Sequence, residues 1–359
     1  MPIRVGPKYG GILPDLSRAF RADGSGGGPA AAPICPIFPK DKALGLKGTY
    51  QLYKLFAQGG MSNIYSVVDP QNNWRLLKVI MDFSALSPTD QAELKQRFNR
   101  EIDILNRIGQ TQYPQCPKGQ LGHPNIVRLI DRDPLSQPRY FIMECIFGGS
   151  LAALIESGQR VPCLDAVKII SKTLNGLIGF GQAVSAGKGA SDYAHRDLKP
   201  DNILWEKVTV DGKEEYMVKV VDFGIARTPE SELTVTGQTL GTPEYSAPEL
   251  LPNNPKAASQ CTDNYALGVI LYELLTGKVA FNFRNAQGGM NAEIVSAFLA
   301  NPMEAILDFR LRLQEEEAIP QEVRDLVFKA MDPEPQARFQ AFVEFKRSSD
   351  SLLSRFINT

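Results

Sequence analysis

The sequence predicts an α+β fold of two lobes, a smaller strand-rich one followed by a larger, mainly helical one. Two observations carry that prediction. From Tyr50 to Ile146, short runs rich in Val, Ile, Leu and Tyr are separated by turn residues, with one helical stretch among them. After "FGGS" at 147–150 the apolar residues take up helical spacing, interrupted by a strand and turn section from about 195 to 249. A chain of 359 residues is long enough for two such lobes.

The elements follow in order. Residues 1–47 contain "RADGSGGGPAAAP", which offers too little side chain to offset the entropy of ordering, so they are expected to form a flexible tail with one short helix near "PDLSRAF". The tail is mildly basic, with seven Lys/Arg against three Asp. "YQLYKLFA" (50–57), "NIYSVVD" (63–69) and "WRLLKVI" (74–80) alternate as an antiparallel three-strand meander. In "QAELKQRFNREIDILNRIG" (91–109), Leu94, Phe98, Ile102 and Leu105 recur every three or four positions, a helix that Gly109 is placed to end. "GQTQYPQCPKGQLG" (109–122) reads as an exposed loop, and "NIVRLI" and "RYFIMECI" complete the strand-rich lobe. Beyond it, helices are expected near 164–181, 262–276, 291–299, 321–331 and 342–357.

Bulk properties exclude some partners. A net charge of −1 argues against a nucleic-acid or membrane-surface binder held by bulk electrostatics. Cys35, Cys116, Cys145, Cys163 and Cys261 are odd in number and far apart, as expected of reduced thiols. The longest apolar candidate, "YALGVILYELL" at 265–275, contains Glu273 and is too short to span a bilayer. With no signal-peptide pattern at the N-terminus, the reading is a cytoplasmic protein without a membrane span.

"HRDLKPDN" (195–202) is the most specific stretch. In an irregular loop, Asp197, Lys199 and Asn202 can converge on one point: a carboxylate to accept a hydroxyl proton, an ammonium to neutralise phosphate, an amide oxygen to bind a cation. Asp222 follows in "VVDFG", where Gly224 permits a sharp turn. Asn202 with Asp222 offers oxygen-only ligation, suited to magnesium already bound to phosphates.

Over residues 48–357, these motifs and their order resemble the eukaryotic-type (Hanks-type) serine/threonine protein kinases, most closely the bacterial members. The resemblance implies a bilobal protein kinase fold: a small antiparallel-sheet lobe with one regulatory helix (48–143), a hinge (144–147) and a larger, mainly helical lobe (148–359). It implies ATP and magnesium, with manganese as the alternative metal, and protein substrates carrying serine or threonine. By it, Lys78 holds the α- and β-phosphates and pairs with Glu101, Asp197 orients the substrate hydroxyl, Lys199 steadies the transferring phosphoryl group, and Asn202 and Asp222 hold metal. Ala57, Gly59 and Gly60 of "LFAQGGMSNIY" belong to the glycine loop, with Met61 at its tip and Ser62 as a hydroxyl contact. Adenine hangs from backbone groups of Glu144 and Ile146 behind Met143, sandwiched by Ile64, Leu76 and Leu204. Glu249 pairs with Arg338, Asp263 braces the catalytic loop, and Leu105, Leu129, Phe223 and His195 form the regulatory stack.

Lys199 and "GTPEYSAPE" resemble serine/threonine rather than tyrosine kinases, with Thr242 bridging Asp197 and Lys199. Thr234 and Thr236 are the candidate autophosphorylation sites, read by Arg196. Ser150 stands where kinases preferring basic sites often carry Glu, which leaves Glu273 and Asp201 as acidic contacts. His123 is expected to cap or pack beside the helix. Departures are Ala57 and Ser62 in the loop, bulky Leu76 over the adenine, a longer link at 181–193 and an extended hairpin before Asp222. Two other readings stay open: a pseudokinase scaffold that binds partners without phosphotransfer, and a small-molecule phosphotransferase. Against them stand the complete set Lys78, Glu101, Asp197, Asn202 and Asp222, and the "GTPEYSAPE" segment.

Overall fold

The computed structural model describes residues 38, 42–58, 62–81, 87–137, 139–185, 193–210, 212–224, 226, 243–250, 257–283, 285 and 291–357. The chain divides into two compact units, one of residues 1–123 and 127–147, the other of 124–126 and 148–359.

The first unit is a sheet with one helix. Strands β1 (Lys42–Leu44), β2 (Thr49–Gln58), β3 (Ser62–Val68), β4 (Trp74–Ile80), β5 (Leu129–Arg132) and β6 (Tyr140–Glu144) form one antiparallel sheet in the order β1-β2-β3-β4-β6-β5. The predicted meander is β2 to β4. Period-two alternation sends Tyr50, Leu52, Tyr65, Val67, Leu77, Val79, Tyr140 and Ile142 into one buried cluster. Helix α1 (Pro88–Gln110) starts at Ser87, whose hydroxyl accepts the Asp90 N–H, and it has proline at its first position. It runs one residue past Gly109 and is capped at Thr111. Nothing lies within 4 Å of where a Gly109 side chain would begin, so that glycine neither breaks nor packs the helix.

The sheet begins earlier than the sequence suggests. Phe38 is buried against Tyr140, and β1 pairs with β2 inside the stretch expected to be tail. The cause is distant in sequence. Leu46 and Lys47 donate their backbone N–H groups to the Asp131 carboxylate at 3.0 and 2.8 Å, and the Tyr50 hydroxyl donates to it at 2.9 Å. Asp131 is buried, and these donors, together with the Arg132 N–H at 2.8 Å, satisfy its carboxylate.

The second unit is mainly helical: α2 (Leu151–Glu156), α3 (Cys163–Ser185), α4 (Gln260–Thr276), α5 (Ala292–Ala300), α6 (Pro302–Gln314), α7 (Gln321–Ala330) and α8 (Phe342–Ile357), with a two-stranded hairpin of β7 (Ile203–Val210) and β8 (Lys213–Val220). Every residue of α4 is buried, which explains why the stretch after its polar first turns is apolar on every side but for Glu273. It stops at Gly277, whose left-handed φ of 66° is the conformation a helix terminator needs. Helix α6 has no counterpart in the sequence reading. Its buried Ile306, Phe309 and Leu313 are set among charged residues, and exposed Leu307 and Leu311 blur the stripe. No helix among the described residues is long and apolar enough to cross a membrane.

Candidate active site

On the first unit, strand register collects the nucleotide-binding candidates. Ala57 pairs with Ile64, Ile64 with Lys78, and Lys78 with Phe141, so these four form one row across the sheet. Leu76, two residues before Lys78, pairs with Met143. Directly paired residues share a face, so the row and this second pair lie on one side, opposite the Tyr65, Leu77 and Ile142 cluster. Helix α1 packs on the candidates' side through Phe98, 5.4 Å from Phe141 between ring centroids. From that helix Glu101 receives the Lys78 ammonium at 2.7 and 3.0 Å. Both side chains are at least nine-tenths buried. At Glu144 the backbone N–H is committed to the Arg128 carbonyl and the carboxylate accepts the Arg128 N–H. Ile146 is buried. Gly59, Gly60 and Met61 lie outside the described residues.

On the second unit, "HRDLKPDN" is an irregular loop held from beneath. Asp263, in the first turn of α4, accepts the backbone N–H groups of His195 and Arg196 at 2.6 and 3.0 Å, the brace expected of it. Burial pushes its carboxyl up to about 7, against the pull of those two donors. Arg196 takes a left-handed φ of 72°, costly for a side chain with a Cβ, and the brace sits where that cost falls.

The three loop groups do converge. The Lys199 ammonium lies 3.1 Å from the Asp197 carboxylate. Asn202 donates through its amide nitrogen to the Asp197 carbonyl at 2.8 Å and to its carboxylate at 3.2 Å. That turns the Asn202 amide oxygen away from Asp197. A short 3-10 turn, Pro200–Asn202, sets the spacing, and β7 begins at the next residue.

The hairpin then brings Asp222 to the loop. Ile203 pairs with Val220, and the Val221 N–H donates to the Asn202 carbonyl at 3.0 Å. Asn202 and Asp222 thus flank the open end of one hairpin. Asp222 itself has a left-handed φ of 65°. The sequence placed the sharp turn at Gly224 and gave no sign of this one. His195 is fully buried, with Nε2 3.1 Å from the Val221 carbonyl and its ring 5.0 Å from Phe223. Burial lowers its pKa, so it stays neutral and structural. Of the four residues expected to form a regulatory stack, His195 and Phe223 belong to the second unit and Leu105 and Leu129 to the first.

Other expectations meet mixed outcomes. Arg338 grips Glu249 with two hydrogen bonds of 2.8 and 3.1 Å, as foreseen. Glu273 is not available as an acidic contact: it is 1% exposed, accepting from the Tyr245 hydroxyl at 2.9 Å and the Ala280 N–H at 3.2 Å. Burial pushes its carboxyl up to about 7. Asp201 is exposed. Ser150 caps α2. Leu204 bridges to Ser150 beside Trp205, whose N–H donates to the Gly149 carbonyl. His123 packs edge-on against Tyr113 in the loop after α1 and pairs with Gln115 at 2.5 Å. Cys116, Cys163 and Cys261 are free thiols. Thr234, Thr236 and Thr242 lie outside the described residues. Sequence reasoning missed Asn125, Asp131 and Tyr245, whose partners are remote in the chain.

Asn202 and Asp222 are hard oxygen donors, and no cluster of three or more His, Cys, Asp or Glu able to hold a metal occurs among the described residues. Two protein ligands suit a divalent cation that takes its remaining oxygens from phosphate and water, not a self-sufficient protein cage. The donor set fits the group.

Comparison with known proteins shows the family. Residues 50–347 match the family described as protein kinase domain. The serine/threonine-protein kinase Pkn1 of Myxococcus xanthus is 30% identical over 348 residues, covering 96% of this chain and 44% of the relative. The serine/threonine-protein kinase PrkC of Bacillus subtilis is 27% identical, over 82% of this chain and 39% of that protein. A probable serine/threonine-protein kinase, PknB of Lactococcus lactis, is 31% identical over 81% and 40%. The chain thus spans less than half the length of these relatives.

Proposed function

The chain belongs to the protein kinase family, and on that premise we propose that it transfers the γ-phosphate of ATP to serine and threonine hydroxyls of proteins. The observation that carries the proposal is the joint approach of Lys199 and Asn202 to Asp197, at 3.1 and 2.8–3.2 Å. A scaffold that never transfers phosphate has no need of that arrangement.

Asp197 orients the incoming hydroxyl and takes its proton as the new oxygen–phosphorus bond forms and the γ-phosphorus parts from the β–γ bridging oxygen, with ADP leaving. Lys199, beside it, neutralises charge gathering on the transferred phosphoryl group. Lys78, held by Glu101, meets the α- and β-phosphates. Asn202 and Asp222 hold magnesium, with manganese as the alternative. When bound, the metal neutralises phosphate charge and aligns the leaving group. Ala57, Gly59, Gly60 and Ile64 cover the phosphates and adenine, Leu76 and Leu204 enclose the ring, and Met143, Glu144 and Ile146 line its edge. Thr242 shapes the site for a short hydroxyl side chain, Thr234 and Thr236 are autophosphorylation targets, and the protein works in the cytoplasm.

The test is to incubate the purified protein with ATP and magnesium and map phosphate by mass spectrometry, with Asp197→Asn as control. Phosphate on Thr234 or Thr236, absent from the control, is the expected outcome. Nucleotide binding without transfer to itself or to a generic protein substrate would replace this reading with the scaffold.

A further inference from the structure

Asn125 is a polar side chain only 7% exposed, between buried His123 and the buried pair Ile126 and Val127. A primary amide in such a place must find partners for both its ends. Its nitrogen donates to the Val218 carbonyl at 3.0 Å, and its oxygen accepts from the Asn175 amide at 2.9 Å. Its backbone carbonyl accepts the Val220 N–H at 2.9 Å, and Ile126 forms a parallel bridge with Val220. Residues 125 and 126 therefore lie along the end of β8 as a short third strand beside the hairpin.

Helix α3 is shaped to admit them. A Cβ on Gly176 would stand 2.5 Å from the Asn125 carbonyl oxygen, too close for any side chain, while Asn175 beside it fixes the orientation of the Asn125 amide. Two residues beyond Val220 stands Asp222, a non-glycine held in left-handed backbone. Such a conformation persists only where its surroundings over-determine it. Val221 is tied on one side through Asn202 and His195. The approach to it, Val218 to Val220, is tied through Asn125.

We propose that Asn125 is a positioning residue for Asp222: by clamping Val218 and Val220 it sets the carboxylate's placement for the divalent cation. The inference rests on the kinase reading for the cation, but the clamp stands on these hydrogen bonds alone. Neither Ala nor Asp at 125 can replace it, since neither can donate to the Val218 carbonyl.

The test uses the full chain with ADP and magnesium as probes. ADP binding is titrated calorimetrically at a series of magnesium concentrations in the wild type, Asn125→Ala and Asn175→Ala, alongside amide hydrogen exchange at 218–222. Asn125→Ala is expected to raise the magnesium concentration for half-maximal effect by roughly tenfold, the usual scale for losing support behind a metal ligand, and to speed exchange at Val220. Asn175→Ala, which removes one hydrogen bond at a half-buried position, moves both in the same direction by less and serves if Asn125→Ala does not fold. A magnesium midpoint unmoved in the folded variant overturns the positioning role, even if exchange rises. Lack of any magnesium-dependent binding in the wild type sinks the kinase reading itself, a result distinct from an unmoved midpoint.

Discussion

Single buried charges decide much of this molecule's chemistry. Lys78 and Glu101 are 8% and 4% exposed, and a lone ammonium or carboxylate so placed would discharge itself by shifting its pKa. Here the two meet as an ion pair at 2.7 and 3.0 Å, which places the lysine on the candidate face of the sheet. Glu273 has no such partner among the described residues: it accepts from a tyrosine hydroxyl and a backbone N–H, and burial, with the like charge of Glu244, pushes it up to about 7 from 4.5. The folded protein therefore holds a proton there that the unfolded chain has released between about pH 4.5 and 7. The stabilisation is complete below that window and is lost as pH rises through it. Glu273→Gln cannot ionise, so its melting temperature should rise relative to wild type across the window, by the equivalent of about 3 kcal/mol. A constant difference from pH 4.5 to 7 would refute the assignment. Asp263 does not confuse the comparison, because it titrates alike in both proteins.

Between elements, Arg338 is tied to Glu249. Its guanidinium is fully buried, donates twice to the carboxylate, donates to the Asp332 and Pro333 carbonyls, and lies 4.9 Å from the Tyr265 ring centroid. It joins the segment before α8 to the "APE" turn and to α4. Arg338→Ala should lower stability by about 3–5 kcal/mol, since it leaves buried acceptors unpaired, and Arg338→Lys should recover only part, having no second arm for the carboxylate. Thermal unfolding of the two variants checks this, and equal melting points for Lys and wild type would deny the fork a role. Such elements differ in how far the sequence reveals them. Helix α4 is evident because burial on every side leaves a run, Tyr265–Leu275, in which Glu273 is the one charge, and Asp197, Lys199 and Asn202 are evident because they share one short loop. Helix α6 escapes because charges interleave its buried Ile306, Phe309 and Leu313. The left-handed residues Arg196 and Asp222 escape too: neither is a glycine, and their conformations are imposed by bonds from Asp263 and by the Asn202–Val221 tie.

At the scale of the whole molecule, the question is how much chain the first unit needs. Composition places the boundary after residue 47 and the family match begins at residue 50, yet Phe38 and the residues from Lys42 to Lys47 contribute to its fold. Phe38 packs on Tyr140, the Tyr140 hydroxyl donates to the Leu44 carbonyl, and Ala43 is wholly buried. Leu46 and Lys47 supply two of the donors that satisfy Asp131, and Gly45 leaves room for it, since a Cβ there would meet its carboxylate at 2.1 Å. No pattern of alternation could announce this, because the partner lies more than eighty residues away on β5. Two chains, one beginning at Phe38 and one at Gly48, differ only by this strap. The shorter one loses an aromatic contact and an edge strand, and it leaves Asp131 with Tyr50 as its remaining donor among these three. At about 1–3 kcal/mol for each buried polar group left unsatisfied, it should be less stable by roughly 3–5 kcal/mol. Asp131→Asn in the longer chain should reproduce part of the loss, because a neutral amide gains less from the same N–H groups and turns a donor towards one of them. Chemical denaturation of the three proteins measures this. Equal midpoints for the two chain lengths would mean that the strap is held by the first unit without supporting it, and the boundary would return to where composition put it.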